Sequence, residues 1–423
     1  MRTRDAGAVY LALAAVNGLL RTTIWTTAAV SFINRAHLGP FQLVLLGTVM
    51  EASIFLLEIP TGMVADVAGR RRSVVTGTLL MGAASTVTGA IPVFPAMLAA
   101  QALWGFGYTF TSGATEAWIA GEVGDRALGP LLLRGAQYAR AGAVAGIGLS
   151  VALASAGLGL PMIVGGAIQL ALGACLARAM PETGFQPAAR AAGGSWRRLS
   201  AVARDGLGAA RRDRVLLAMF AIALLAGMST EGVDRLRELH LIREVGLPGL
   251  GGLGAVAWFG IIEAGAMAIS VAVIEPVRRR LDTGDRRAMS GLLLVLVAVE
   301  AAAMVTFGLA AGFALAVTAL FAYSGARGLR DPIYAAWVVP MIEPRLRATV
   351  LSGLGQADAV GEILGGPAIG LVATAAGPGL AIAASAAPLA PVAALLLGIR
   401  RGVRGGVRGW ARPRGEVAEH RHG

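Results

Sequence analysis

Carboxylates and guanidiniums that fall inside long apolar runs are the residues of this chain best placed to do chemistry. Glu51 and Glu58 stand in the apolar stretch 41–65, and Asp358 and Glu362 stand one helical turn apart in the stretch 351–373. Arg21 interrupts the first apolar run and Arg327 and Arg330 a later one, while Glu116 follows the aromatic series Trp104, Phe106, Tyr108 and Phe110. An ionised side chain in mid-bilayer costs about 2.5–3.5 kcal/mol even on the gentlest scale, so each such residue is paired or useful. The chemistry open to them is proton exchange. His37, His240, His420 and His422 fall at expected outer ends or in the tail, lysine is absent, and arginine keeps its proton at any working pH. Any transported proton must therefore ride on aspartate or glutamate. Burial favours the neutral acid and a nearby arginine the ionised one, so a carboxylate that gains and loses an arginine contact is a workable switch. Static ion pairs that lock helices together are the competing use of the same residues.

The elements that must position these groups follow from composition. With 423 residues, 56% hydrophobic and 15% charged, and a mean hydropathy of +0.68, the chain is too apolar for a soluble domain. Long unbroken apolar runs select membrane helices over a barrel. Such runs fall at 6–33, 41–65, 73–91, 95–119, 135–156, 160–179, 215–233, 251–274, 289–310, 312–340, 351–373 and 379–399. On an ideal helix Glu51 lies about 22 Å above Asp66 and Glu58 about 12 Å above it. Arg21 lies about as far along the first run as Glu51, which makes the two prospective partners. Positions 51, 55, 58, 62 and 66 share one stripe, which is then not a lipid face. Asp358 and Glu362 lie about 16 and 22 Å from Arg347, and Arg330 and Arg327 about 16 and 21 Å from Met341, so those four can also meet.

The net charge of +12 rests on arginines between apolar runs. With the N-terminus inside, Arg70–Arg72, the segment 181–213, the turn near Arg278–Arg287 and the tail 401–423 all face the cytosol, as the positive-inside rule requires. The expected partner is the lipid bilayer of the cell (plasma or inner) membrane, not nucleic acid. Domains are expected at 1–180 and 214–400, six helices each, with a cytosolic linker over 181–213, a basic tail and both termini inside. The single Cys175 excludes an intrachain disulfide, and no metal or cofactor is expected. No P-loop and no convergent nucleophile, base or metal cluster is present, so neither ATP-driven work nor an enzyme is expected. The halves repeat: Glu51 and Glu263 are 212 positions apart, as are Ser112-Gly113-Ala114 and Ser324-Gly325-Ala326. Gln137-x4-Gly142-x3-Gly146 recurs as Gln356-x4-Gly361-x3-Gly365. Parallel repeats about an axis along the membrane normal place substrate at the midplane between them.

The turn after the second run reads Gly62-x3-Asp66-x2-Gly69-Arg70-Arg71-Arg72, and it resembles the loop motif between spans two and three of the major facilitator superfamily. Pro181-Glu182-Thr183 resembles a motif found there after span six. Glu122 occupies the place where sugar-porter-like members set an acid against the loop arginines. Gly361-x3-Gly365-Gly366-Pro367 resembles an antiporter motif, but in span eleven; the expected fifth span has Gly142-x3-Gly146-x-Gly148 without the proline. The resemblance implies an all-α membrane protein of twelve helices in two pseudo-symmetric bundles. In that architecture spans two and eleven pack across the seam, so Glu51, Glu58, Asp358, Glu362, Arg327 and Arg330 would form one network. Span four would line the cavity with Glu116, Trp104 and Tyr108. The function implied is proton-coupled efflux of small amphipathic molecules by a monomer. Uptake or facilitated diffusion is the alternative, ahead of a transporter-like receptor or a membrane enzyme. Glu231, Asp234, Arg235 and Arg237 are expected to be solvated at the outer end of span seven, and Glu300 is left without a role.

Overall fold

The computed structural model describes residues 5–185, 214–249, 254–282, 285–342 and 347–404. Most of the expected linker, from 186, and the tail from 405 lie outside the described residues. Proline and aspartate set many helix starts. Pro40, Pro95, Pro161 and Pro378 each occupy a first turn, where a missing N–H costs nothing. Asp5 accepts from the Gly7 N–H, and Asp285 from those of Arg287 and Ala288.

Among the described residues twelve helical rods result, numbered here as spans one to twelve. The first six are Ala6–Trp25 continued by Ala28–Asn34, Pro40–Ala68, Arg70–Ala90, Phe94–Thr111 continued by Ala114–Val123, Asp125–Ala156, and Leu160–Ala179. The second six are Arg214–His240, Ala255–Arg280, Arg286–Gly308, Phe313–Val338, Arg347–Ala376, and Pro378–Ala384 continued by Leu389–Arg404. Ten are long and apolar enough to cross a bilayer. The fourth, more polar and divided at Ser112-Gly113, and the tenth, interrupted by Arg327, Arg330 and Asp331, fall short of that apolarity. Gly113 stands at φ 69°, whereas its repeat counterpart Gly325 lies within an unbroken helix.

Packing repeats between the halves. Span one lies along five as seven lies along eleven, and three packs on four and six as nine packs on ten and twelve. The repeated glycine motif makes the first of these contacts. A Cβ on Gly142 would run into the Ala15 carbonyl of span one, and a Cβ on Gly361 into the Leu224 carbonyl of span seven. Only glycine lets those backbones approach so closely. Thr22 Oγ1 then donates to the Ala143 carbonyl at 2.7 Å, and Thr27 and Ser150 share a 2.9 Å bond.

Between the halves span two packs on eleven, and five more lightly on eight. Gly366 meets Thr48 and Val44, Gly370 meets Phe41, and Gly260 meets Val151 and Ile147. All these contacts lie on the side away from residues 5 and 404. The seam is therefore closed there.

One boundary matters most. The apolar run of span seven was expected to stop at Val233, but its helix continues to His240 and closes in a wider turn over Leu241–Val245. Val233, Leu236 and Leu239 keep the inward face apolar, at 1%, 0% and 0% exposure. The charges between them are carried into the protein, not out to solvent.

Candidate functional site

A cavity of about 420 Å³ lies between the halves, walled by spans one, two, four, seven and eleven. Its polar centre is Arg235. The guanidinium stands 3.6 Å from Glu51 of span two and 3.6 Å from Glu231 one turn back on its own helix. Gly47 makes room for it, because a Cβ at that position would overlap the guanidinium. Glu231 is 1% exposed, and its Oε2 has no hydrogen-bond donor. Glu362 of span eleven lines the same cavity from across the seam.

Further ion pairs surround this centre. Arg327 holds Asp234 through one nitrogen, 2.8 Å from each carboxylate oxygen. Arg237 joins Glu238 at 2.6 Å and Glu263 at 3.3 Å. The repeat-related acids Glu51 and Glu263 thus each meet an arginine of span seven. Glu58 accepts from Gln356 at 2.6 Å, a second polar link between spans two and eleven. Trp25 and Trp104 add an aromatic wall to the cavity, packed edge to face with ring centroids 5.6 Å apart, whereas Tyr108, expected in the lining, stacks on Trp104 at 5.6 Å without lining the cavity. The Trp104 indole N–H is buried without a partner.

Several expected pairings are replaced. Arg21 lines the cavity but has no ion-pair partner among the described residues; Arg235 takes Glu51, because span seven lies nearer to span two at that depth. Arg327 and Arg330 do not bind Asp358 or Glu362. Arg330 pairs instead with Glu300 at 3.2 Å and Asp331 at 3.3 Å, which explains the fully buried acid of span nine. Asp358 faces a neighbouring cavity of about 250 Å³ with Arg330 and Tyr334. Glu231, Asp234, Arg235 and Arg237 are not a solvated end. Their signal was the i,i+4 spacing of Glu231 and Arg235 on a helix whose Val233, Leu236 and Leu239 continue the apolar face. His240 is likewise buried at 1%, with one ring nitrogen 2.7 Å from Glu244 and the other 2.9 Å from the Phe307 carbonyl.

At the end of the molecule where the arginine loop lies, Glu122 does not meet Arg70. It accepts from the Thr183 N–H and hydroxyl at 2.7 Å and from the Gly184 N–H at 2.8 Å. The acid against the loop is Glu182, which takes the Arg71 N–H at 2.9 Å beside Gly69. Arg70 bonds the Ala117 carbonyl. Gly62 approaches nothing closely, Asp66 is exposed without a described partner, and Glu116 is exposed away from the cavity lining. Among the described residues no three His, Cys, Asp or Glu side chains converge as a metal site requires.

The family model of the Major Facilitator Superfamily matches residues 10–299. The chain belongs to the major facilitator superfamily. Solved members share the fold. The nucleoside transporter NupG superposes with a TM-score of 0.71 at 15% identity, covering 93% of this chain and 99% of that one. A POT family transporter in complex with 5-aminolevulinic acid gives 0.73 at 11% identity, covering 95% and 97%. A bacterial homologue of the human lysosomal transporter Spinster, in an inward-facing and occupied conformation, gives 0.67 at 16%, covering 96% and 97%. No curated protein matches the sequence. As a superfamily member the chain is a multi-pass integral membrane transporter.

Proposed function

We propose that this superfamily transporter is a proton-coupled antiporter that exports small amphipathic molecules from the cell across the plasma membrane by rocking its two halves. The observation that carries the reading is that Glu51 and Glu362, one acid from each half, line the same cavity as Arg235. Rocking changes how close each acid lies to Arg235, so a carboxyl that holds its proton away from the guanidinium releases it beside the guanidinium. Arg235, bound to Glu51 and Glu231, is available to the carboxylate that has lost its proton. The aromatic wall beside these charges suits a substrate with both apolar and polar parts. With both termini and the arginine loop in the cytosol, the closed end of the seam faces outward. The coupling unit is the monomer, since the cavity is walled by one chain.

The test is reconstitution in proteoliposomes with a pH gradient as the only driving force. Substrate movement should follow the gradient in the wild type and should lose that dependence, while exchange of substrate for substrate persists, in Glu51→Gln and Glu362→Gln. Coupling that survives both changes removes the pair as carrier. Transport indifferent to the gradient in the wild type leaves a facilitator.

A further inference from the structure

The end of the molecule away from the termini is fastened alike in both bundles. In the first, Arg35 at the end of span one donates to the Gly89 carbonyl at the end of span three, and Gly159, ahead of span six, lies against both. In the second, His240 at the end of span seven meets the Phe307 carbonyl at the end of span nine at 2.9 Å, and Gly379, at the start of span twelve, lies against the ring. The backbones beneath match as well: Gly89 abuts the Gly159 carbonyl, and Gly308 the Gly379 carbonyl.

The two fastenings differ in one respect. Arg35 cannot lose its charge, whereas a histidine can. The His240 ring is buried at 1% exposure with an oxygen on each nitrogen: the Phe307 carbonyl on Nε2, and Oε2 of Glu244 on Nδ1 at 2.7 Å. That Glu244 oxygen also accepts the Gly379 N–H at 2.9 Å. The wide turn Leu241–Val245 folds Glu244 back over the ring. A neutral imidazole has one N–H and can fill one of these bonds; filling both takes a second proton, on the ring or on Glu244. Among the described residues no other charged group meets the ring. Spans nine and twelve present only the carbonyl and the N–H, Arg237 and Glu238 pair with each other, and Arg243 is exposed.

We propose that His240 and Glu244 form an acid-sensing clasp, whose second proton ties the end of span seven to spans nine and twelve and whose loss to water at higher pH frees it. The end so held closes the seam: span seven packs there on Ala28–Asn34 of span one and on span two, both of the other half. When the proton leaves, the Nδ1 lone pair faces the Glu244 carboxylate, the two move apart, and Glu244 no longer links Gly379 to the ring. Acid in the compartment that this end faces therefore holds the closed arrangement, and alkali loosens it. That compartment is the exterior in the proposed orientation. The clasp uses neither Glu51 nor Glu362, and it acts whatever the cargo.

The test is amide hydrogen exchange of the full-length protein in lipid nanodiscs, without cargo or gradient. It is run at about pH 5 and about pH 8, the range over which histidine ordinarily changes charge, with each rate referred to the intrinsic one at that pH. Protection of residues 376–384 should fall at least about tenfold from acid to alkali, the loss expected of a charge-assisted hydrogen bond. The counterpart at 157–163, held by Arg35, should not change. His240→Arg, which gives the second bundle the permanent cation of the first, should abolish the pH dependence at 376–384. Equal pH dependence at the two places, none at 376–384, or a dependence that persists in His240→Arg overturns the proposal. If the variant does not fold, the comparison of the two places in the wild type decides alone. Since no transport is measured, a flat profile removes the clasp and leaves the antiport reading standing, and loss of that reading leaves the clasp.

Discussion

At the scale of single residues, arginines that cannot lose their protons are held among carboxylates that can, and position decides what each pair does. Arg330 and Glu300 pair inside the second bundle, with Glu300 wholly buried, and neither forms part of the seam cavity lining. Such a pair contributes little net stability, but removing one partner leaves the other charge buried, at a cost of about 3–5 kcal/mol. Arg330→Met should therefore lower the thermal unfolding midpoint of the detergent-solubilised protein sharply, and Arg330→Met with Glu300→Leu should recover most of the loss. If the double variant also transports at the wild-type pH dependence, this pair is a static lock. If pH dependence is lost with stability restored, Glu300 carries protons and the seam is not the sole coupling site. Single residues also show where sequence reasoning stops. Glu51, Glu58 and Glu362 were recognisable because a bare acid stands out in an apolar run. Arg235 was not, because the dense run of charges around it reads as a solvated end unless the helical spacing of Val233, Leu236 and Leu239 is followed through it.

At the scale of elements, small residues set which helices pair. Gly142 and Gly361 occupy matching places in spans five and eleven, and each lies against a carbonyl of the helix it crosses. Gly142→Leu should push span one away from five and destabilise the protein by about 1–3 kcal/mol, as overpacking does elsewhere. Gly148 stands in the same span with nothing within 4 Å of an added Cβ, and Gly148→Ala should be neutral or gain up to about 1 kcal/mol from helix propensity. Thermal unfolding of the two variants compares the cases directly; equal effects would mean that the motif is not a packing device. The arginine loop is an element-scale assembly as well. Pro181-Glu182-Thr183 fastens the end of span six to both the loop and span four, through Glu182 on the Arg71 N–H and Thr183 on Glu122. Two pieces read separately in the sequence are thus one structure. The direct Glu122 contact with the loop arginines is replaced because the Thr183 and Gly184 donors reach Glu122 instead.

At the scale of the whole molecule, the halves touch on the side away from the termini, where Thr48 meets Gly366. If transport needs that contact to open, Thr48→Cys with Gly366→Cys in a Cys175→Ser background should cross-link on oxidation and stop transport, and reductant should restore it. Cross-linked protein that still transports would show that the seam does not part there. The same contact brings Glu51 of the first half into one cavity with Glu362 of the second, so their meeting is a property of the assembled molecule.

Apolar run length, the glycine repeats and the arginine distribution determined twelve helices, two related bundles and the family, because these follow from the bilayer's thickness and its intolerance of charge. They also marked most of the acids that matter. The partner of each acid was decided only by the tertiary structure. Arg235, Arg327 and Arg330 lie at similar depths on neighbouring helices, and helical rise fixes depth but not azimuth. Which guanidinium faces which carboxylate depends on helix rotation and on a helix continuing past the end of its apolar run, and both are set by packing between residues far apart in the chain.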